Sequence, residues 1–311
     1  MKKSLAIIVP CYNEEAVIEI SYKRLKNVLE TLENPSEIIF INDGSVDKTA
    51  EMLRKIAEKD KYVKIISFSR NFGHQKAVTA GINYCTSDLA IIIDADLQDP
   101  PELIPEILQT QEKEQAQVVY CVRKSREGES AFKIWTAKMF YRFLNYFSEV
   151  KIPVDTGDFR LIDKSVMRVF NQMHERGKYV RGLISWSGFK QVPFYYEREA
   201  RFAGETKYPL SKMLRLATTS MLYFSKKPLM LATTLGFISV LLAIIYGFYA
   251  VLGQIFGFTH ADSGWTSIVA LIVFFGGIQL LTIGIMGAYI GSLFDEIKNR
   301  PEYIVEETVN F

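Results

Sequence analysis

The sequence is poor in cysteine and histidine, and its charges nearly cancel. Its three cysteines are odd in number and lack metal-ligand spacing, which excludes a disulfide framework and favours reduced thiols. The three histidines share no spacing, and we assign none of them as a metal ligand. A formal net charge of +2 without a long basic block predicts no nucleic-acid partner.

Two long stretches of the sequence lack charged residues altogether. Residues 229–252 and 266–290 contain no Lys, Arg, Asp or Glu, whereas nearly all of the charge lies before about residue 225. Each stretch exceeds the roughly 20 apolar residues that cross a bilayer. A pair of buried core helices is the alternative, but core helices seldom run this long without charge. We therefore predict two transmembrane helices.

Basic residues around these stretches predict their orientation. Four of them lie between residues 212 and 227, two follow the second stretch at 298 and 300, and the connecting residues 253–265 contain none. Such residues concentrate on the cytoplasmic side. The N-terminus leads directly into an apolar strand rather than a signal peptide. We expect an inner (cytoplasmic) membrane protein whose large domain and both termini are cytoplasmic.

The first 125 residues alternate β-branched runs with amphipathic stretches, which is typical of an α/β fold with a mostly parallel sheet. Strands are predicted at residues 5–9, 37–41, 63–67, 89–93 and 118–122. Helices are predicted at residues 14–31, 48–58, 75–84 and 101–114. Asp47 and Asp99 are expected to cap the second and fourth of these helices.

Polar segments follow four of the predicted strands. The carboxyl ends of parallel strands form the ligand crevice of an open α/β sheet, so we expect these segments to converge on one site. They are residues 10–14, 42–45, 70–71 and 94–96.

Asp94 and Asp96 form the centre of this predicted site. Two carboxylates one residue apart at a strand end can present oxygen ligands to Mg²⁺ or Mn²⁺, which complete their shells with substrate phosphates. Such a pair alone is a weak signal, and helix capping is the alternative. Its place after an apolar strand, with Gln98 and Asp99 close behind, favours the metal site.

Asp43 follows another apolar strand. Its carboxylate could accept hydrogen bonds from a base or ribose, and Gly44 would let the chain turn without a side chain in the way. An Asx-type turn explains Asn42-Asp43-Gly44 equally well, and the turn and the ligand contact could occur in the same structure.

The pattern becomes irregular after residue 123. Residues 131–147 combine aromatic with basic side chains, as an interfacial membrane helix does, and residues 209–223 are similar. An ordinary packed helix with a solvated basic face is the alternative for both. Arg123 directly follows the fifth strand and should point into the crevice. Together with Arg126 and Lys133 it could bind a lipid phosphate, and an anionic-lipid contact would look the same.

These blocks resemble the signature of family 2 glycosyltransferases with a GT-A type nucleotide-binding domain. The early blocks are IVPCYNEE at 8–15, NDGSVD at 42–47 and DADLQDP at 94–100. The later blocks are RNFG at 70–73, GDFR at 157–160 and AGETKY at 203–208. With two C-terminal spans, they are similar to the bactoprenol glucosyltransferases, relatives of dolichyl-phosphate mannose synthase, over essentially the whole chain.

The resemblance implies that the chain is organised in four consecutive segments. Residues 1–208 would be the GT-A catalytic domain, 209–227 a juxtamembrane amphipathic helix, 228–293 the two-helix anchor and 294–311 a cytoplasmic tail. It also implies ligands: a nucleotide sugar, a polyprenyl phosphate and membrane lipids. UDP-glucose is the expected donor, with GDP-mannose, UDP-N-acetylglucosamine or a modified arabinose donor left open.

The same resemblance implies residue roles. Asp94, Asp96 and Gln98 would lie at the divalent ion, with Asp94 also near the ribose or diphosphate. Arg123 would grip the acceptor phosphate, with Arg126 and Lys133 as weaker candidates. The remaining donor-binding candidates are Pro10, Tyr12, Glu14, Asp43, Arg201 and Lys207, and Arg198 is a further candidate at the diphosphate.

The expected reaction needs no strong base. A phosphate monoester is largely dianionic at neutral pH, so the nucleophile arrives deprotonated, and in-line attack would invert the anomeric carbon. Asp158 remains a candidate base, but an orienting role paired with nearby Arg160 is preferred. One alternative is an enzyme whose acceptor is a hydroxyl group, which would require a base. Another is a protein without catalytic activity, a membrane scaffold that only binds a nucleotide sugar. Gly287 and Gly291 form a G-x-x-x-G pattern that suggests a homo-oligomer.

Overall fold

The computed structural model describes residues 2–123, 156–175, 178–197, 227–256 and 264–311. The chain divides into two compact units. The first contains the residues before the predicted spans together with Arg300–Phe311, and the second contains the two long apolar helices. The predicted interfacial helices at residues 131–147 and 209–223 lie outside the described residues.

The first unit is built on one eight-stranded sheet in the order β7-β5-β6-β4-β1-β2-β3-β8. Strands β4, β1, β2 and β3 are parallel, whereas β6 runs antiparallel between β4 and β5, and β8 runs antiparallel to β3. The predicted mostly parallel sheet is confirmed. The strands are β1 (Leu5–Cys11), β2 (Ser36–Asn42), β3 (Val63–Phe68), β4 (Leu89–Ile92), β5 (Val118–Arg123), β6 (Thr156–Asp163), β7 (Gln191–Tyr196) and β8 (Val305–Val309).

Six helices flank this sheet in the part of the chain that the structure describes. The four predicted from the sequence are confirmed, but the first begins four residues late because Asn13 adopts a left-handed φ of 53° and residues 14–17 form a turn. The six are α1 (Ile18–Thr31), α2 (Thr49–Lys59), α3 (His74–Tyr84), α4 (Ile104–Glu114, after a 3₁₀ turn at Pro101–Leu103), α5 (Lys164–Asn171) and α6 (Val180–Trp186).

Neither Asp47 nor Asp99 occupies the predicted N-cap position. Lys48 is at the N-cap of α2, and Asp47, one residue earlier, accepts the N–H of Thr49, the first residue of the helix, together with the N–H of Glu15. Asp99 lies before the 3₁₀ turn, where its buried carboxylate accepts the hydroxyl proton of Tyr196 rather than a helix N–H. Both carboxylates therefore join loops together.

The sheet carries the core of this unit. The central strands β1, β2 and β4 are apolar on both faces and almost wholly buried, as parallel strands covered by helices must be. This burial explains why the sequence predicted them as continuous β-branched runs. Their rigidity fixes the positions of the loops at their carboxyl ends.

The predicted C-terminal tail is partly a strand. Residues 305–309 pair with the free edge of β3, and Asn310 donates to the carbonyls of Ala57 and Val63. Arg54 pairs with Glu307 across the same edge at 2.7 Å. Of the predicted tail, Arg300–Phe311 therefore belong to the first unit, whereas residues 294–299 belong to the second unit with the last long helix.

The second unit consists of α7 (Lys227–Phe256) and α8 (Trp265–Ile297), which contact each other. Stretches of 23 and 27 residues within them, Lys227–Tyr249 and Leu271–Ile297, are long and apolar enough to cross a membrane, with mean hydropathies of 2.3 and 2.1. Little of either stretch is buried within the protein. By length and composition, both predicted spans are present as helices.

Candidate active site

The loop after β1 is fastened to the loop after β2. The backbone N–H of Asn13 donates to Ser45 Oγ at 3.0 Å, and Asn13 Oδ1 accepts the N–H of Val46 at 2.9 Å. The N–H of Glu14 donates to Thr49 Oγ1 at 2.9 Å. Side chains at the start of one motif thus satisfy the backbone of the other. Pro10, Tyr12 and Glu14 are brought to the same edge of the sheet as Asp43.

Asp43 anchors the loop after β3. Its carboxylate is 3% exposed and accepts the N–H groups of Phe72 at 2.7 Å and Gly73 at 2.9 Å, together with the Asn71 amide at 3.0 Å. Burial raises the pKa of Asp43, and these N–H donors oppose the rise. Asn42 closes the turn of this segment, because its Oδ1 accepts the N–H of Ser45 at 3.1 Å; this bond reaches three residues along the chain, one more than in an Asx turn.

Gly44 is required at the junction of these loops. It has a φ of 63°, and a Cβ at this position would lie 2.3 Å from the backbone carbonyl carbon of Arg70. The prediction that glycine is needed for the turn at Gly44 is confirmed by its positive φ. The close approach of the Arg70 backbone is a second reason why a side chain would not fit there. Three of the sequence motifs therefore interlock through backbone and buried side chains.

Asp94 and Asp96 lie in the loop that follows β4. Both are half-buried, and Asp96 Oδ1 accepts the N–H of Gln98 at 3.2 Å. Leu97 between them and Gln98 has a φ of 59°, a conformation that costs a non-glycine residue about 1–3 kcal/mol. Strain of this kind concentrates at functional loops, where the surrounding structure imposes it.

Strand β6 carries Asp158 to this loop. Ile92 of β4 pairs with Arg160 of β6, and continuing this antiparallel register by two residues places Asp158 opposite Asp94. The side chain of Asp158 is 7% exposed. The sequence did not predict β6, which brings Asp158, a candidate base from the family resemblance, to the loop of Asp94.

Asp158 is held by Arg181, not by Arg160 as predicted. Arg181 donates through Nε to Oδ1 at 2.7 Å and through Nη2 to Oδ2 at 3.1 Å. Arg160 is buried and donates instead to the carbonyl of Gly157 at 3.1 Å. Burial lowers the pKa of Arg160 to about 10, so this guanidinium remains charged at neutral pH.

His74 bridges the two carboxylates. Its Nε2 lies 2.9 Å from Asp158 Oδ2 and 3.7 Å from Asp94 Oδ1. Burial disfavours the charged imidazole, but the two carboxylates outweigh it and raise the pKa of His74 to about 9. Sequence reasoning missed both His74 and Arg181. The block at residues 70–73, which His74 directly follows, was the available signal for the histidine.

The carboxylates form one acidic cluster. Burial, and then the negative charges of Asp158, Asp99 and Asp96, raise the pKa of Asp94 to about 6, against the opposing effect of His74. For Asp158, burial is outweighed by Arg181 and His74, which hold its pKa well below the usual range. The neighbouring residues thus keep Asp158 ionised, whereas Asp94 lacks a comparable cationic partner at hydrogen-bond distance among the described residues.

Arg123 lies beside this cluster at the end of β5. Its Nη2 is 2.8 Å from where a Cβ of Gly157 would be, so only glycine leaves room for the guanidinium. Burial opposes the charge, but Asp99 and Tyr196 raise the pKa of Arg123. The buried Nε of Arg123 has no hydrogen-bond acceptor within the described part of the chain.

The donor set at the strand end fits a divalent cation. Within the described ranges, no group of three or more His, Cys, Asp or Glu side chains is arranged to hold a metal ion by itself. Mg²⁺ and Mn²⁺ are often held by one or two carboxylates together with substrate phosphates. Asp94 and Asp96 supply such a pair, and the negative charges of Asp158 and Asp99 near Asp94 would help to stabilise a positive charge there.

The comparison with known families decides the identity of this fold and site. The profile described as "Glycosyl transferase family 2" matches residues 6–170, which include the interlocked loops, the acidic cluster and β6. The chain belongs to glycosyl transferase family 2. It is therefore a glycosyltransferase, and its sheet is the GT-A type of nucleotide-binding fold.

Curated members of this glycosyltransferase family match nearly the full chain. An uncharacterised glycosyltransferase of Bacillus subtilis, YkcC, is 47% identical over 97% of this chain and 93% of its own length. A prophage bactoprenol glucosyl transferase homologue of Escherichia coli is 39% identical over 97% and 98%. The bactoprenol glucosyl transferase of Shigella phage SfII is 36% identical over 98% of both chains. The family resemblance predicted from the motifs is confirmed.

Several predicted site residues lie outside the described residues. These are Arg126, Lys133, Arg198, Arg201 and Lys207. Their assigned roles at the acceptor phosphate and the donor stay predictions, as do those of Pro10, Tyr12, Glu14, Asp43 and Gln98.

Proposed function

We propose that this glycosyltransferase transfers glucose from UDP-glucose to a polyprenyl phosphate, with inversion at the anomeric carbon. The observation that carries the proposal is the meeting of an acidic cluster and Arg123 at one edge of the sheet. The cluster suits a cation-bound donor, and the arginine suits an anionic acceptor. The nearly full-length match to bactoprenol glucosyl transferases supports the acceptor class and the sugar.

Asp94 and Asp96 would hold a Mg²⁺ or Mn²⁺ ion, with Gln98 beside them. When bound, the ion would neutralise charge on the diphosphate leaving group. Asp43 would act by fixing the loops after β2 and β3 around the nucleoside, because three N–H donors already occupy its buried carboxylate. Pro10, Tyr12 and Glu14 would line the nucleoside site from the neighbouring loop.

Arg123 would bind the acceptor phosphate. Its Nε donor lacks an acceptor within the described ranges, and a phosphate oxygen would supply one. A bidentate contact to phosphate suits the planar guanidinium. The acceptor would then be oriented for in-line attack on the anomeric carbon.

Asp158 would orient and balance charge rather than remove a proton. The phosphate nucleophile is already largely deprotonated at neutral pH. Both oxygens of Asp158 are engaged by Arg181, and Oδ2 also by His74. A carboxylate held in this way is a weak base and a rigid support for the residues that face the substrate.

We also propose that the enzyme is anchored in the cytoplasmic membrane by α7 and α8, with its catalytic unit and termini in the cytoplasm. Strand β8 follows α8, yet it pairs with β3, which precedes α7. This pairing supports a topology in which both ends of the two-helix segment face the same side of the bilayer. Basic residues at 227, 298 and 300 flank the helices on that side, which favours the cytoplasm.

A panel of nucleotide sugars tests the proposal. Purified full-length protein is incubated with polyprenyl phosphate, Mg²⁺ or Mn²⁺ and each radiolabelled donor in turn: UDP-glucose, GDP-mannose, UDP-N-acetylglucosamine and a modified arabinose donor. Lipid-linked label with UDP-glucose supports the proposal, and the anomeric configuration of the product reports inversion. If only another donor gives lipid-linked label, UDP-glucose is not the donor and the proposed sugar is wrong. If no donor gives lipid-linked label, polyprenyl phosphate is not the acceptor.

A further inference from the structure

The C-terminal tail has a place in the fold that the proposed reaction does not use. It comprises Arg300–Phe311, follows α8 in the chain, and belongs to the same compact unit as the sheet. Its strand β8 covers the edge of β3, whose own carboxyl end leads into the loop that Asp43 anchors. The tail is therefore adjacent in structure to a part of the site.

The beginning of the tail supports that loop directly. The N–H of Ser69 donates to the carbonyl of Ile304 at 3.1 Å. The ring of Tyr303 stacks on Phe68 with centroids 4.9 Å apart, and Phe68 meets Phe72 edge-on at 5.7 Å. Asn83 of α3 also donates to the Tyr303 hydroxyl at 2.8 Å. These contacts lie on both sides of the segment between β3 and α3.

An ion pair links the tail to a second part of the site. Lys178 Nζ lies 2.9 Å from Glu302 Oε1, and their side chains are 6% and 16% exposed. Lys178 lies two residues before the start of α6, which carries Arg181. The N–H of Val180 donates to Gln75 Oε1 at 3.0 Å, so α6 and α3 are joined at this point.

We propose that Glu302 is a positioning residue for catalysis. Through Lys178, it fixes the first turn of α6 so that Arg181 holds Asp158 in place. A buried ion pair that loses one partner leaves an uncompensated charge, and the segment around it shifts to reach water. Because a displacement of about 1 Å at a catalytic group can cost about 10²-fold in rate, a shift of α6 should reach the reaction.

The test compares two ion pairs of the same tail. Glu302→Gln and Lys178→Met remove the pair near α6, whereas Glu307→Gln removes the more exposed pair with Arg54 in the middle of β8. Full-length variants are assayed for sugar transfer, for thermal unfolding and for amide hydrogen exchange of residues 178–184. The inference rests on the proposed function for the choice of transfer assay and for the orienting role of Asp158.

We expect Glu302→Gln and Lys178→Met to lower kcat by about tenfold with little change in donor KM, because geometry rather than binding is lost. Exchange at residues 178–184 should rise in both variants and not in Glu307→Gln. Exchanging the charges, Lys178→Glu with Glu302→Lys, should recover part of kcat.

Two results would overturn the inference: an unchanged kcat in Glu302→Gln, or an equal fall in Glu307→Gln. If wild-type protein transfers no sugar to polyprenyl phosphate, the proposed function fails by itself. The exchange comparison would still show whether Glu302 fixes α6.

Discussion

Arg181 grips Asp158 at two points, with Nε 2.7 Å from Oδ1 and Nη2 3.1 Å from Oδ2. Through Nη1 it also donates to the carbonyl of Thr156 at 2.8 Å. One guanidinium thus fixes both the beginning of β6 and the carboxylate that faces Asp94. Burial of Asp158 would by itself raise its pKa, but the contact with Arg181, together with His74, holds that pKa well below its usual range and keeps the carboxylate ionised.

Replacing Arg181 by lysine should lower kcat by about 10²-fold, because the positive charge remains while the two-point geometry is lost. Asp158→Asn should lower kcat to a similar extent. Since the two residues act as one unit, the double variant should be little worse than either single one. Steady-state kinetics of the three variants measures this. Fully additive losses would show that Arg181 and Asp158 act separately.

A methyl group at Gly44 should separate two of the interlocked loops. Gly44→Ala places Cβ 2.3 Å from the Arg70 backbone and adds left-handed strain of about 1–2 kcal/mol. Gly188→Ala is the matched control, because it has a φ of 73° with open space around the Cβ position. We expect Gly44→Ala to weaken UDP binding by at least about tenfold in calorimetry, and Gly188→Ala to lower the melting temperature alone.

Equal UDP affinities for the two alanine variants would contradict this account of Gly44. The loops after β2 and β3 would then not need their close approach for donor binding.

Removing the divalent ion should abolish transfer. Asp94 and Asp96 supply few oxygens by themselves, so a chelator should outcompete the site readily, and added Mn²⁺ or Mg²⁺ should restore activity. Asp96→Ala should be inactive at every metal concentration while its melting temperature stays near that of the wild type. Sugar transfer that persists in the presence of a chelator would contradict the claim that the reaction requires a divalent ion.

The sequence predicted the central fold because its strands are buried on both faces and read as β-branched runs. Strand β6, by contrast, carries Asp158, Arg160 and Asp163, and β8 carries two glutamates, so neither shows an apolar run. Strand β8 also lies at an edge, where charged residues are expected and periodicity is weak. The local sequence pattern therefore did not predict β6 and β8, because these strands form by pairing with residues distant in the sequence.

The site was predictable to a similar extent. Asp43, Asp94 and Asp96 follow predicted strands, and the topology of parallel sheets brings such positions together. His74 and Arg181 lie on different helices, more than one hundred residues apart, and only packing around Asp158 makes them neighbours. The expected Asp158–Arg160 pair failed for the same reason, because proximity in sequence does not set side-chain partners.

The most direct test is to vary donor and acceptor separately in Arg123→Ala and Asp96→Ala, with the exposed Arg168→Ala of α5 as a control. The account predicts that Arg123→Ala raises the KM for polyprenyl phosphate by at least about tenfold while UDP affinity is unchanged. It predicts that Asp96→Ala loses metal-dependent UDP binding. An unchanged acceptor KM in Arg123→Ala would contradict the claim that this arginine brings the lipid phosphate to the acidic cluster.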